Sequence, residues 1–166
     1  VKNIYQDLWT LARQKNIMMT FTPHVKSLSL WFDRQKVETI IYNILSNAVK
    51  YTPAKGMISM RMNEDKGMLV ITVEDNGPGI SAEQEKELFK PFMHGYVSQG
   101  GMGIGLYTAH QMALLHKGAL SYRKANAKGG CVFTLEIPTA PTAYNEEERM
   151  DHLAIDTTSI NTQETD

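Results

Sequence analysis

No stretch of this chain restricts its fold more than "IIYNILSNAVKYTP", residues 40–53. Its apolar positions recur with helical spacing. The pattern extends back to Asp33, a residue suited to an N-cap, and the pair Thr52-Pro53 stops it. At roughly 100° per residue, Ile40, Ile41, Ile44 and Ala48 form a core stripe, while Asn43, Asn47, Lys50 and Tyr51 fill the adjoining sector. Asparagine is a mediocre helix former whose amide competes with the backbone, so a helix needing only a core face would rarely carry two in adjacent turns.

Two readings of that bordering row remain open at this point. An amide carbonyl is a hard oxygen suited to Mg²⁺, a lysine further along can meet a phosphate, and an aromatic can flank a base. Alternatively the amides bond water or a neighbouring loop, and Lys50 and Tyr51 snorkel from a solvated face.

Around this helix the pattern predicts α/β structure. Residues 3–15 place Ile4, Leu8, Leu11 and Ala12 on one face of a short helix, and strands are expected near 18–22 and 27–32. The alternating "MISMRM" (57–62) and "MLVITVED" (68–75) read as paired strands joined by the polar turn "NEDKG". Ser81 with Gln84 three residues on forms a capping-box pattern before "LFKPF". A third long helix is expected over 105–116, then strands near 119–124 and 132–137, with the domain closing at Pro138. Residues 139–166 are acidic and polar and read as a tail or linker.

Composition excludes several functions. With 166 residues, 42% of them hydrophobic, and a net charge of -1, the chain suits one domain with a proper core. Lysine and arginine are scattered, so no basic stripe points to nucleic acid or to direct membrane contact. No apolar run approaches the roughly 18 residues of a membrane span. The single cysteine, Cys131, in the strand-like "GGCVFTLEIP", reads as a buried thiol, and one cysteine allows no internal disulfide, which fits a reducing compartment. The chain begins at Val1, which suggests a piece of something longer.

Two glycine clusters follow the asparagine helix. "VEDNGPGI" sets Asp75 at the end of an apolar strand, followed by Gly77, Gly79 and Ile80. It suits either a plain turn or a backbone that passes close to a ligand while the carboxylate accepts from an exocyclic amine. "GGMGIGL" opens a helix, as phosphate-binding loops do, or is simply a flexible loop. It lacks the lysine and hydroxyl of a Walker A loop and the spacing of a dinucleotide fingerprint.

In combination, and in this order, "NILSNAVKYTP", "DNGPGI", "LFKPF" and "GMGIGL" resemble the N, G1, F and G2 boxes of the catalytic ATP-binding domain of sensor histidine kinases. That family lies in the superfamily of gyrase, Hsp90 and MutL. The resemblance covers about residues 1–138 and implies a two-layer α/β sandwich, a mixed, largely antiparallel sheet packed on three helices. By the same resemblance, Asn47 ligates Mg²⁺, Asn43 lies beside the metal or phosphates, and Lys50 contacts phosphate. Tyr51 packs near adenine, and Asp75 accepts its amino group, with Gly77, Gly79 and Ile80 passing close to the base. Gly101, Met102, Gly103, Ile104, Gly105 and Leu106 form the hinge and phosphate-facing end of a lid, Phe89 and Phe92 anchor its base, and Thr134 helps hold water at the adenine. ATP and Mg²⁺ are therefore the implied cofactors.

Where ATP-hydrolysing relatives carry a water-activating glutamate, this chain has Asn43, an amide that cannot act as a base, which favours transfer to a histidine over hydrolysis. None of His24, His94, His110, His116 and His152 sits in the acceptor pattern of such kinases. The acceptor is thus expected on a dimerisation hairpin ahead of this domain, and the domain alone is expected not to autophosphorylate. The lid, residues 93–100, holds no Lys or Arg, so its phosphate contacts would fall to backbone, His94 or Ser98. The implied partners are that hairpin and a response regulator or a receiver domain fused after the tail, in a cytoplasmic setting within a parent that a membrane anchor would suit. The same boxes also fit an anti-sigma-type serine kinase, or a nucleotide-binding regulatory module without catalysis.

Overall fold

A computed structural model describes residues 2–25, 27–31, 33–92, 103–144 and 153–156. Helix α1 (Lys2–Gln14) leads into strand β1 (Met18–Pro23) and β2 (Ser27–Leu30), then α2 (Arg34–Tyr51). Strands β3 (Met57–Asp65) and β4 (Met68–Asp75) follow, then the short α3 (Ala82–Glu87), α4 (Gly105–Leu115), β5 (Ala119–Asn126), β6 (Gly129–Pro138) and β7 (Leu153–Asp156).

Five strands form one sheet in the order β1-β3-β4-β6-β5. Only β1 and β3 run parallel, and α2 lies in the crossover that parallel neighbours require; the other pairs are antiparallel. The sheet is mixed and largely antiparallel, with the helices over one face, as expected. Strict alternation sets that face. On β4, Leu69, Ile71, Val73 and Asp75 are buried while the residues between them are partly exposed. Ile58, Met60 and Met62 of β3, and Phe133, Leu135 and Ile137 of β6, join them in a core with Ile40, Ile41, Ile44 and Leu45 of α2.

Local signals end the helices. Asp33 caps α2, accepting from the Gln35 amide at 2.8 Å. Ser81 and Gln84 form the full capping box of α3.

Two expectations are corrected. Leu11 of α1 is 49% exposed, because the buried row is Leu8 and Ala12 with Tyr5 and Trp9 on one flank, and Leu11 lies on the other flank. The packed chain also runs past Pro138. Through a single 3-10 turn, Pro141–Ala143, it reaches Tyr144, which is buried, with its hydroxyl donating to the Pro138 carbonyl at 2.9 Å. An aromatic ring with an acceptor for its hydroxyl buries readily even in a polar stretch. Further on, β7 pairs antiparallel with β2 as a separate two-stranded sheet.

Candidate functional site

The strand period that builds the core also delivers a charge into it. Asp75 takes the last helix-facing position of β4 and is only 6% exposed, in a row otherwise made of Leu69, Ile71 and Val73. Its Oδ1 accepts from the Gly77 amide at 2.8 Å and the Cys131 amide at 3.4 Å. Burial nevertheless prevails over these bonds and holds the carboxyl above its usual range. A buried carboxylate at a strand end, with Oδ2 outside those backbone bonds, is suited to accept hydrogen bonds from a ligand amine.

The turn after Asp75 is held from β6. The Gly130 amide donates to the Gly77 carbonyl at 2.8 Å. A Cβ on Gly130 would lie 2.4 Å from the Asp75 carbonyl oxygen, and its φ is +79°, so only glycine fits there. The Gly129-Gly130 pair is a site element that sequence reasoning passed over, although two glycines opening an apolar strand were a legible signal. Cys131 is the residue of β6 that meets Asp75, and burial, with the neighbouring carboxylate, pushes its thiol up to about 12.

Thr134 does not reach this place. It pairs laterally with Thr72 of β4 and Ser121 of β5 and stands three residues from Cys131, hence on the opposite face of the sheet. The adenine-side role expected of Thr134 is therefore corrected: residue parity along β6 gives that face to Cys131.

The N-terminal box meets both glycine clusters. Asn43 and Asn47 lie half-buried one turn apart on α2. The Asn43 amide donates to the Thr39 carbonyl at 3.0 Å, and a Cβ on Gly105 would come within 2.7 Å of Asn43 Oδ1. The first residue of α4 thus passes directly over that asparagine. At the other end of α2, a Cβ on Gly77 would lie 3.2 Å from the Tyr51 carbonyl oxygen. Lys50 Nζ sits 5.1 Å from the Tyr51 ring centre. Helix α4 begins at Gly105 behind Ile104, whose side chain makes no cap hydrogen bond, and a helix N-terminus is suited to receive an anion. Ile80 and Leu106 pack against the core beside these turns.

An open cleft of about 670 Å³ flanks this arrangement, lined by Lys15, Lys50, Tyr51, Pro53, Asn76 and Gly77 among others. It omits Asn43, Asn47 and Asp75 and is the outer rim of the site rather than its centre. Lys15 is a second lining residue that sequence reasoning missed. Its position in the turn just after α1 gives no local sign that it meets the end of α2.

The F box is only half as expected. Phe89 packs on the core and stacks on His110, with ring centres 4.5 Å apart. Phe92 is 67% exposed with a φ of +63°, so its ring does not pack into the core as an anchor would. Gly101, Met102, His94 and Ser98 lie outside the described residues, while Gly103, with a φ of +65°, leads into α4. Of the described histidines, His24 is exposed, His110 carries Phe89, and His116 Nδ1 lies 2.7 Å from the Met112 carbonyl oxygen.

The donor set fits a lightly held metal. Among the described residues no group of three or more His, Cys, Asp or Glu side chains is placed to hold one. An amide oxygen such as that of Asn47 suits Mg²⁺ that takes its remaining ligands from phosphates and water.

Residues 32–141 match the family described as histidine kinase-, DNA gyrase B-, and HSP90-like ATPases. Histidine kinase P4 of Formosa agariphila is 32% identical over 145 residues, covering 83% of this chain and 10% of that protein. The solved catalytic domain of histidine kinase ThkA superposes with a TM-score of 0.76 at 25% identity, over 86% of this chain and 92% of that one. The structure of ThkA in complex with response regulator protein TrrA matches with a TM-score of 0.70 at 24% identity, over 85% of this chain and 40% of that one. The chain thus spans only about a tenth of the length of that kinase and less than a third of sensor histidine kinase RppB of Synechocystis.

Proposed function

The chain belongs to the histidine kinase-, DNA gyrase B- and HSP90-like ATPases, and from that premise we propose that it serves as the ATP-binding catalytic domain of a two-component sensor histidine kinase. In this reading it passes the γ-phosphate of ATP to a histidine on a dimerisation hairpin elsewhere in the parent protein. The observation that carries it is Asp75, a carboxylate sunk in the apolar row of β4 beside the Gly77-Gly130 hook. A fold keeps such a costly group where a ligand needs it.

Each residue then has a physical task. Asp75 accepts the adenine amino group beside the Gly77 and Cys131 amides that already meet its Oδ1. Gly77 and Gly79 bring the chain close to the base, and Tyr51 covers its outer side. Lys50 and the N-terminus of α4 draw the phosphates. The Asn47 oxygen would hold Mg²⁺, which when bound neutralises charge on the phosphates. Asn43, its Nδ2 committed to Thr39, lacks any group able to take a proton from water. What this chain's residues contribute is position and charge complementarity for in-line transfer to an incoming nucleophile.

The partners in this reading are the acceptor hairpin and a response regulator or receiver domain, and the setting is cytoplasmic, where ATP is available. No described helix is long and apolar enough to cross a membrane. The anti-sigma-type alternative gains no specific support, since the named relatives are histidine kinases.

Calorimetric titration with a non-hydrolysable ATP analogue, with and without Mg²⁺, tests the reading. Saturable binding that Asp75→Asn weakens about 10- to 100-fold, and that Asn47→Ala makes indifferent to Mg²⁺, is the expected result. A folded chain that binds no nucleotide under either condition would overturn it.

A further inference from the structure

Helix α2 ends without the glycine that commonly closes a helix; Thr52 follows Tyr51 directly, and then Pro53. The Thr52 amide returns to the Ala48 carbonyl at 2.9 Å, which leaves later carbonyls of the last turn to be satisfied from elsewhere. They are met from the turn that follows α1. Lys15 Nζ donates to the carbonyl oxygens of Val49 at 2.6 Å, Lys50 at 3.1 Å and Thr52 at 3.3 Å. The same corner is stitched by two backbone bonds, Lys55 N–H to the Asn16 carbonyl and Met18 N–H to the Gly56 carbonyl, each 2.9 Å.

Two consequences follow for the residues that α2 carries there. Lys50 and Tyr51 occupy the final turn, so whatever fixes that turn fixes the direction of their side chains. The C-terminal end of a helix also bears partial negative charge, which would repel phosphates approaching Lys50. An ammonium placed on those carbonyls cancels it. Lys15 lines the cleft together with Lys50 and Tyr51, so its charge acts within the site's own rim.

We propose that Lys15 is a positioning residue of the nucleotide site: its ammonium clamps the last turn of α2 and so holds Lys50 and Tyr51 in the arrangement that receives the nucleotide. The proposal rests on the reading of the chain as an ATP-binding domain. Lys15 itself touches no nucleotide.

The test compares Lys15→Met, Lys15→Arg and, as a control for loss of one charge, Lys66→Met in the distant β3–β4 turn. Each is titrated calorimetrically with the magnesium complexes of an ATP analogue and of ADP, at a temperature where circular dichroism shows the variant fully folded. Lys15→Met should weaken both ligands by a similar factor, about 5- to 10-fold, as expected when charged hydrogen bonds that order a binding turn are lost. Lys15→Arg should restore affinity to within about 2-fold, because a guanidinium can still donate to carbonyls. Unchanged affinity in Lys15→Met, with only a lower melting temperature, would show a purely structural lysine and overturn the proposal. An equal loss in Lys66→Met would overturn it too, by making the effect one of net charge. If the unmutated chain binds neither ligand, the ATP-binding reading itself fails, a result distinct from either of these.

Discussion

The two ends of the site are built by different means. The end proposed for adenine is sheet: Asp75, Gly77, Gly130 and Cys131 are locked by backbone hydrogen bonds between β6 and the turn after β4, and the Asp75 carboxyl is buried within the fold itself. The end proposed for the phosphates is made of helix flanks and helix ends, where Asn43 and Asn47 border the core and Ile104, ahead of α4, makes no side-chain cap bond. One end is pre-organised at a cost to the fold. The other is joined, among the described residues, by the close approach of Gly105 over Asn43.

Placing the same substitution at each end is the sharpest way to break this contrast. Gly130→Ala drives a Cβ into the Asp75 carbonyl at a positive φ, and should cost roughly 2–5 kcal/mol of unfolding free energy, summing the left-handed penalty and the overpacking. Urea denaturation reads it directly, and a loss under about 1 kcal/mol would mean the adenine end is not rigid.

Next in size, Asp75→Asn should weaken an ATP analogue about 10- to 100-fold, the worth of a charged hydrogen bond at a buried site. The ligand-free variant should nevertheless melt no lower than the parent at neutral pH, since it no longer buries a charge. A clear drop in its melting temperature would show that Asp75 serves the fold first.

At the phosphate end, Gly105→Ala should leave stability within about 1 kcal/mol of the parent, because alanine favours helix while its methyl displaces Asn43. Affinity for the triphosphate should fall about 10-fold, on the order of one lost polar contact. Equal loss for adenosine and for the ATP analogue would contradict the division into two ends.

The smallest effect concerns pH. The Asp75 carboxyl titrates above 3.8 in the folded chain, so its contribution to stability is full below that value and is lost as pH rises through the raised folded value. The stability difference between Asp75→Asn and the parent should therefore move in favour of the variant from about pH 4 to about pH 7. Melting curves across that range check the sign, and a shift the other way would mean that hydrogen bonding outweighs burial at this carboxyl.

Much of the fold was legible because it rests on local periodicity. Asp33, the row Ile40-Ile44-Ala48 and Thr52-Pro53 define α2 from within one segment, and the Ser81-Gln84 box does the same for α3. Strict alternation in "MLVITVED" fixes both β4 and the inward face of Asp75. Leu11 and the burial of Tyr144 were misjudged because an edge position on a helix, or one aromatic in a polar stretch, is buried or not according to what packs beside it.

Spacing within a few residues was enough to read the order of the boxes and the inward side of α2 and β4. Which residues of distant segments meet became readable only from the packed fold. Cys131 rather than Thr134 faces Asp75 because antiparallel pairing of β4 and β6, segments 56 residues apart at that contact, sets the register, and a residue's parity along the strand sets its face. Lys15 reaches carbonyls 34 to 37 residues ahead because α1 and α2 pack side by side. A backbone carbonyl has no side-chain identity to read, so no residue pattern could announce that contact; it exists only once the chain has closed on itself.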